Sequence, residues 1–414
     1  MKQIAKPFLT VCAVLMAAGV SAKDVRVEVT NTSSLDFDGD MVEVSMPKVV
    51  KLLGMKALDK VVVTDENNRE VPYQVTYDNK LIFQTSLAAG KSASYTIRIG
   101  QPAAYETYVT GKLYAKRKDD LAWENDKIAL RAYGPALQKS GEKAYGYDLW
   151  TKRTPYLVVD SRYSTELSEQ NWKTVRALSK IDPAMGDYYL STFSYHLEHG
   201  NGMDCYAVGP TLGGGTNALL DKNGNIIYPY CWKTCKVLDN GPLRFTVTLT
   251  YNPLTVDGNS NVVETRLISL DKGSHLNKAI IRYEGLNKAT PVVGGIVLHT
   301  KNVKDYTIND ENGFVSYKDP TDKPSTAGRM FLGVLSTEKG EKGQVQLFSE
   351  TESKQRAGAM GHVMTVNTYK PGTNFTYYFG FGWDKYDMPD QATWNNYLTT
   401  FSQKLKSPLK VVVK

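Results

Sequence analysis

Two histidines and two acids stand close together in the segment YHLEHGNGMDCYAVG, residues 195–209. His196 and His199 are three positions apart, Glu198 lies between them, and Asp204 follows. A carboxylate beside a histidine stabilises the imidazolium and tunes the ring for general acid/base catalysis. The same nitrogen and oxygen atoms are also ligands for a divalent metal ion. The Gly-Asn-Gly that follows indicates a strand that ends in a turn, and a purely structural turn is the alternative interpretation.

A second polar group opens the stretch WENDKIALRAYG. Glu124 and Asn125 precede an alternating strand in which Arg131 and Tyr133 lie on one face. A guanidinium pairs with a carboxylate such as that of a uronic acid, and a tyrosine stacks on a sugar ring or donates a proton. In the structural alternative, Arg131 pairs with Glu124 or Asp126 and holds the start of the strand.

A third group lies in YDLWTKR, where Asp148, Trp150 and Lys152 alternate and therefore share one face. An acid, an indole and an amine on one side are the components of a sugar-binding wall. A surface strand with a partly buried tryptophan is the alternative.

The other histidines are more scattered. His362 begins a strand far along the chain and is a candidate third histidine of the site. His275 and His299 have no acidic neighbours in the sequence, so we interpret both as structural.

The first 22 residues have the composition of a secretory leader. A lysine-containing start is followed by an apolar run that is too short to span a membrane, and Val-Ser-Ala precedes the predicted cleavage point. The sequence therefore predicts export across the inner membrane, most simply to a bacterial periplasm. The formal net charge of the whole chain is +7, and its basic residues are dispersed, which is not the basic stripe of a nucleic-acid-binding protein.

Three cysteines follow the predicted leader, namely Cys205, Cys231 and Cys235. Because disulfides form in the oxidising compartments to which proteins are exported, we expect one structural disulfide and one buried thiol, without assigning the pairing.

β-Strand patterns dominate the rest of the chain. Short alternating segments recur from residue 23 to about 102, which predicts a small N-terminal β-sandwich. Residues 103–235 are less regular. From residue 236 onwards, long aromatic-rich strands predict a large antiparallel two-sheet sandwich, with a hairpin across Asn312-Gly313. The predicted architecture is therefore all-β with few helices, divided into residues 23–102 and 103–414.

One helix is predicted near the C-terminus. Trp394, Tyr397, Phe401 and Leu405 recur at helical spacing, and Asp390 is placed to cap the helix N-terminus.

Several blocks, taken in order, resemble a family of exported bacterial proteins, the domain-of-unknown-function family numbered forty-eight sixty-one. These blocks are WENDKIALRAYGPAL, YDLWTKR, YHLEHGNGMDCYAVG with LGGG, NGPLRFTVTLTY and FGFGW. The resemblance implies a galactose-mutarotase-like β-supersandwich and a role in the breakdown of uronate-containing polysaccharides. It supplies no reaction and hence no catalytic roles. It marks as motif positions Glu124, Asn125, Asp126, Arg131, Tyr133, Asp148, Trp150, Lys152, His196, His199, Asp204 and Tyr206.

Together these features predict a periplasmic carbohydrate-active enzyme acting on uronic-acid-containing oligosaccharides, by β-elimination or glycoside cleavage. In β-elimination a cation or hydrogen-bond donor must neutralise the C6 carboxylate, a role suited to Arg131, Asn125 or Lys152. His196 or His199 would take the C5 proton. The candidates for protonating the leaving oxygen are Tyr133, Tyr195 and Tyr206.

Three alternatives remain open at this point. A pair of carboxylates drawn from Glu124, Asp148 and Asp204 would instead catalyse hydrolysis. A non-catalytic glycan-binding protein would use tryptophans as ring platforms, and a mutarotase or epimerase would release no new chain end. No cofactor is predicted, although calcium or zinc is compatible with the ligand atoms, and the expected partner is an oligosaccharide or polysaccharide in an undetermined oligomeric state.

Overall fold

The computed structural model describes residues 23–414 except residue 324 and residues 337–341. The predicted leader, residues 1–22, lies outside the described residues. Within the described part, no helix is long and apolar enough to cross a membrane.

The N-terminal residues form two small antiparallel sheets around one apolar core. Val27, Val63 and Ile97 have no exposed surface, because alternate side chains of each strand point into this core. Strands β1, β3 and β6 belong to one sheet, and β2, β5 and β4 form the other. The elements are β1 (Val25–Thr30), β2 (Phe37–Ser45), α1 (Met46–Leu53), β3 (Val61–Thr64), β4 (Tyr73–Val75), β5 (Lys80–Leu87) and β6 (Ser92–Ile99).

The central part of the chain combines a four-stranded sheet with four helices. Its elements are β7 (Thr110–Tyr114), β8 (Asp120–Glu124), β9 (Ala129–Ala132), α2 (Pro135–Lys139), β10 (Asp148–Trp150), α3 (Val159–Glu166), α4 (Glu169–Ile181) and α5 (Pro183–Ser191). A short 3₁₀ turn, Ala115–Arg117, joins β7 to β8.

The helices α3 to α5 were not predicted from the sequence. Ser168 caps α4 by accepting from the Asn171 N–H, and Asp182 caps α5, with Pro183 at the first helical position. These start signals are present, but few residues of the helices are buried. An apolar stripe, the strongest helix signal, is therefore weak here.

The C-terminal part is a large antiparallel sandwich. One sheet has the order β12-β11-β18-β23-β22, and the other has the order β13-β14-β16-β17-β24-β21-β20-β19 with β15 attached to β16. The elements are β11 (Gly214–Leu220), β12 (Ile226–Ile227), β13 (Trp232–Asn240), β14 (Arg244–Tyr251), β15 (Leu254–Val256), β16 (Asn259–Asp271), β17 (Leu276–Glu284), β18 (Thr290–Leu298), β19 (Tyr306–Asn309), β20 (Phe314–Asp319), β21 (Met330–Ser336), β22 (Lys342–Leu347), α6 (Glu350–Gln355), β23 (Gly361–Tyr369), β24 (Phe375–Trp383), α7 (Gln391–Lys406) and β25 (Lys410–Val413).

The all-β prediction is confirmed. Side chains such as Val292, Val334 and Phe379 have no exposed surface and belong to one continuous apolar core. The hairpin across Asn312-Gly313 joins β19 to β20, with Gly313 at φ 67°.

The predicted C-terminal helix is confirmed as α7. Asp390 accepts from the Thr393 N–H, and Trp394 and Leu398 are fully buried. The last strand, β25, pairs with β1. The final residues of the chain therefore complete the N-terminal sheet, across the domain boundary proposed at residue 103.

The predicted disulfide is wrong for the described part of the chain, where Cys205, Cys231 and Cys235 are all free thiols. Cys231 lies just before β13 and Cys235 within it. Two residues that are four positions apart on an extended strand have Cα atoms roughly 13 Å apart. This is about twice the Cα–Cα distance across a disulfide. Cys205 packs in the core, with its sulfur 4.0 Å from that of Met330.

Candidate functional site

Arg131 lies at the centre of a buried group of acids. Its Nε donates to Asp148 Oδ2 at 2.8 Å, its Nη2 lies 3.2 Å from Asp204 Oδ2, and its Nη1 lies 3.6 Å from Asp120 Oδ2. Strand pairing places Asp148 opposite Arg131, and a bridge between Trp150 and Asp204 brings in the third acid. The structure thus joins residues predicted from three separate segments.

Burial sets the electrostatics of this group. It raises the pKa of Asp204 well above its usual range, and the neighbouring Asp148 adds to the shift. It also raises the pKa of Asp120 to about 6, although Arg131 opposes this. The Arg131 side chain is only 6% exposed. The guanidinium is therefore paired with the Asp148 carboxylate, while burial favours the protonated form of Asp204, and Arg131 is not free to bind a substrate carboxylate as the sequence had suggested.

Tyr133 and Trp150 flank the guanidinium. The carbon Cζ of Arg131 lies 4.8 Å from the Tyr133 ring centre and 5.0 Å from that of Trp150. Tyr133 accepts a hydrogen bond from Arg131 Nη2 at 3.0 Å, so the predicted common face of Arg131 and Tyr133 is present. Burial raises the pKa of Tyr133, which keeps its proton at neutral pH. Trp150 is 1% exposed and donates to Asp148, so it offers no face to a sugar.

His196 lies at the solvent side of this group. Its Nδ1 is 3.5 Å from Asp204 Oδ2, and 46% of its side chain is exposed. Burial, together with the positive charges of Arg131 and Lys323, lowers the pKa of His196. The ring is therefore neutral at neutral pH and able to accept a proton.

The second histidine of the pair points elsewhere. His199 is exposed, and its Nε2 lies 3.0 Å from the Ser194 carbonyl oxygen. Glu198 accepts from the Gly200 and Gly202 N–H groups and so holds the turn. The segment consists of turns that follow α5, whereas the sequence predicted the end of a strand.

His299, which we had interpreted as structural, lies beside this site. Its Nδ1 is 2.6 Å from Asp319 Oδ2, and its ring centre is 5.8 Å from that of Tyr206. Burial lowers the pKa of His299, but the Asp319 carboxylate and the Ala207 carbonyl outweigh it and raise the pKa overall. Two acceptors at the ring favour the imidazolium. Tyr206 is buried, and its hydroxyl has no hydrogen-bond partner among the described residues.

The segment after β20 joins the two histidines. Lys323 Nζ donates to the His196 carbonyl oxygen at 2.7 Å, and the Asp322 N–H donates to the Cys205 carbonyl oxygen at 3.0 Å. The Lys323 ammonium group therefore lies beside His196, and Lys323 follows shortly after Asp319, which ends β20 and contacts His299. Sequence inspection missed Lys323 because it is 127 residues away from His196, and it missed Asp319 because its partner His299 has no acid beside it in the sequence. We call the following residues the acid/base cluster: Arg131, Tyr133, Asp148, His196, Asp204, His299, Asp319 and Lys323.

Glu124 and Lys152 hold the scaffold. Lys152 Nζ donates to Glu124 Oε2 at 2.7 Å, and neither side chain is exposed. The Glu124 carboxylate also accepts from the N–H groups of Val158 and Val159 at the start of α3. In this conformation a ligand does not reach either residue, in contrast to the sugar-binding role expected from the sequence.

Three further candidates lie inside the protein. Asn125 is fully buried and donates to two backbone carbonyls. Tyr195 is 3% exposed and packs against Trp150 at a ring distance of 4.7 Å. His362 on β23 accepts from the Leu212 N–H at 3.1 Å, and burial lowers its pKa to about 3. The charges of Arg356 and His299 also lower the pKa of His362, but no hydrogen bond or ion pair joins this residue to the acid/base cluster among the described residues.

No group of three or more histidine, cysteine, aspartate or glutamate side chains is arranged to hold a metal ion within the described ranges. The acids of the cluster are paired with Arg131 or a histidine instead.

Residues 29–411 match a family described as a domain of unknown function, DUF4861. The chain belongs to this family. It is also 27% identical over 320 residues to "Uncharacterized protein P7" from Formosa agariphila, a match that covers 74% of this chain and 70% of that protein.

Two solved structures from Enterococcus faecalis are similar over 95% of this chain. One is an alpha-mannosidase, with 10% identity and a TM-score of 0.47, and the other is a protein in glycosyl hydrolase family 38, with 9% identity and a TM-score of 0.48. The chain spans about half the length of these proteins, 46% and 47% respectively.

Proposed function

We propose that this protein is a carbohydrate-active enzyme that cleaves uronic-acid-containing oligosaccharides by β-elimination. One observation carries the proposal. His196 and His299 both adjoin the Asp204–Tyr206 segment, and their surroundings shift their pKa values in opposite directions. At a pH between the lowered pKa of His196 and the raised pKa of His299, the first ring is neutral and the second is protonated, which are the states of a general base and a general acid.

The proposed reaction assigns one step to each side chain. His196 takes the C5 proton of the uronic acid, and the electrons of that C–H bond form the C4–C5 double bond. The C4–O bond then breaks, and His299 exchanges its hydrogen bond to the Ala207 carbonyl oxygen for one to the leaving oxygen, to which it gives that proton. No water or oxidant is consumed.

The substrate carboxylate needs a positive partner, because its charge otherwise opposes loss of the C5 proton. Lys323 is half-buried, and its ammonium group already lies against the His196 carbonyl oxygen. It replaces Arg131 and Lys152 in this role, since Arg131 is paired with acids and Lys152 with Glu124. The uronate class itself is supported by the family resemblance described above.

The pH dependence of kcat/KM follows from the two shifts. Activity falls at low pH as His196 becomes protonated, below the ordinary histidine pKa. It falls at high pH as His299 loses its proton, above that ordinary value. The expected profile is bell-shaped, and in His299→Gln the alkaline limb moves or disappears.

The decisive experiment incubates the mature protein with pectic and other uronic-acid oligosaccharides and measures the product masses. β-Elimination gives a product lighter by one water than the hydrolysis product, with a new ultraviolet absorbance from the double bond. His196→Ala lowers the rate at which that product forms by about 10²–10⁴-fold, while Lys323→Met raises KM for the charged substrate. If the wild-type protein converts no member of the panel but binds several of them, the protein is a glycan-binding protein.

Hydrolysis is the second candidate, and one observation favours it. Burial raises the pKa of Asp204, so this residue can supply a proton, and the exposed Asp322 lies close to it. The products would then carry an added water. Unchanged masses with altered anomeric or epimeric signals in NMR would instead identify a mutarotase or epimerase.

We also propose that the protein is exported to the periplasm, on the basis of the leader-like first 22 residues. Cell fractionation tests this location.

A further inference from the structure

A cavity of about 660 Å³ lies between the N-terminal unit and the outer face of the large sheet. Outward-facing side chains of β14, β16, β17 and β24 form its floor, α7 forms one side, and β2 with the turn before β5 forms the opposite wall. Among the described residues, none of the acid/base cluster lines this cavity. It is therefore a separate feature of the molecule.

The size of the cavity distinguishes it from a packing defect. Protein interiors contain few voids larger than a water molecule, whereas sites for small ligands enclose about 300–1,000 Å³. Positions between structural units are also common locations for such sites.

Most of the charged groups that line the cavity are already paired. Hydroxyl groups can donate to the carboxylates and accept from the cations without separating these pairs, while an ionic ligand would have to compete with them. The pairs, with N···O distances between 2.5 and 2.7 Å, are Lys80–Glu43, Arg244–Glu43, Arg244–Asp271 and Lys404–Asp40.

Aromatic rings form the apolar side of the cavity. Tyr378 and Phe401 lie 5.1 Å apart in an edge-to-face arrangement, and Tyr397 lies 6.1 Å from Phe401. The three rings are partly exposed, and the accessible part of an aromatic ring suits the C–H surface of a pyranose ring, while the charged pairs suit its hydroxyl groups.

We propose that this cavity is a second, non-catalytic site that binds a neutral saccharide. Aromatic rings beside paired charged groups match a ligand with many hydroxyl groups and no net charge. The proposal does not depend on β-elimination at the acid/base cluster.

Isothermal titration of the mature protein with neutral gluco-, xylo-, manno- and galacto-oligosaccharides tests the proposal. We expect at least one of them to bind, and Tyr378→Ala to weaken that binding at least about fivefold, as truncation of a binding hot spot does. Ser269→Trp fills the cavity from the strand β16 and should abolish binding; this variant decides the matter if Tyr378→Ala does not fold. Tyr188→Ala, at an aromatic side chain on α5 that is 74% exposed, is the matched control.

Two outcomes would overturn the proposal. Either no neutral saccharide binds the wild-type protein, or the affinity is unchanged in Ser269→Trp. Loss of neutral-saccharide binding in His196→Ala would place the sugar in the acid/base cluster and also overturn it. Because uronate turnover is measured separately, failure of one proposal leaves the other standing.

Discussion

The acid/base cluster and the surroundings of His275 are built from the same residue types, yet they differ in access. His275 is 4% exposed, and its Nδ1 and Nε2 contact the Phe381 carbonyl oxygen at 2.9 Å and Asp387 at 3.2 Å. Asp387 also binds Lys127 at 2.9 Å. By contrast, 46% of the His196 side chain is exposed. We therefore expect the buried His275–Asp387 pair to be structural and the accessible His196–Asp204 pair to be the one that a substrate can reach.

The largest expected effect concerns the centre of the acid/base cluster. Arg131→Met leaves the Asp148 carboxylate buried without its cation, and breaking a buried ion pair in this way costs about 3–5 kcal/mol of unfolding free energy. Urea denaturation measures this loss. The control, Arg153→Met, removes a side chain that is 52% exposed and 3.4 Å from Glu198, so its effect should stay within about 1 kcal/mol. Equal effects of the two variants would contradict the proposed role of Arg131.

The second prediction is that a histidine substitution lowers activity in the acid/base cluster but lowers stability at His275. In His196→Ala, kcat/KM should fall about 10²–10⁴-fold, as expected for loss of a general base, with little change in stability. In His275→Ala, the buried hydrogen bonds are lost at a cost of about 1–3 kcal/mol, but the folded protein should keep its activity. Kinetics and thermal unfolding of both variants measure this. If His275→Ala inactivates a folded protein, the contrast is false.

A smaller effect is expected in the pH dependence of stability, to which the two regions contribute with opposite sign. Burial raises the pKa of Asp387, but its contacts with His275 and Lys127 prevail and lower it to about 2. This residue therefore contributes stability at neutral pH that is lost as the pH falls from about 4 towards 2. Asp120 has a pKa raised to about 6, so its contribution is present at low pH and is lost as the pH rises from about 4 to 6.

The pH dependence is checked by comparing unfolding free energies of the wild-type protein, Asp387→Asn and Asp120→Asn between pH 3 and 7. For Asp387→Asn, the stability advantage of the wild type over the variant should shrink on acidification. For Asp120→Asn, the wild type should instead gain stability relative to the variant as the pH falls. Parallel curves for the two variants would refute the assigned shifts.

The smallest effect is expected at His199. Its ring is exposed and contacts only a backbone carbonyl among the described residues, so His199→Ala should change kcat/KM by less than about threefold. A loss comparable with that of His196→Ala would move the general base to His199.

Much of the fold follows from local patterns. Alternation of buried and exposed residues along β16 and the capped apolar stripe of α7 are visible in the sequence. Helices α3 to α5 were missed because they bury few side chains, and Cys231 and Cys235 were taken as possible partners because sequence spacing does not show that the chain between them is extended.

The site was only partly predictable for a related reason. The segment with His196 and Asp204, and the strand with Arg131 and Tyr133, are recognisable by composition, and the structure brings them together. The sequence does not show whether a polar side chain is exposed to solvent or paired with a buried partner. Glu124 and Lys152 satisfy each other inside the protein, although they look like surface groups in the sequence.

The sequence by itself determined the β-rich architecture, the C-terminal helix and the polar motifs, because periodicity and composition are local properties of the chain. Only the tertiary structure decided which histidines have acidic partners. Asp319 reaches His299 from 20 residues away, and Asp387 reaches His275 from 112 residues away. The electrostatic field at a ring depends on distance in space, and burial depends on everything packed around it, so neither can be obtained from neighbours along the chain.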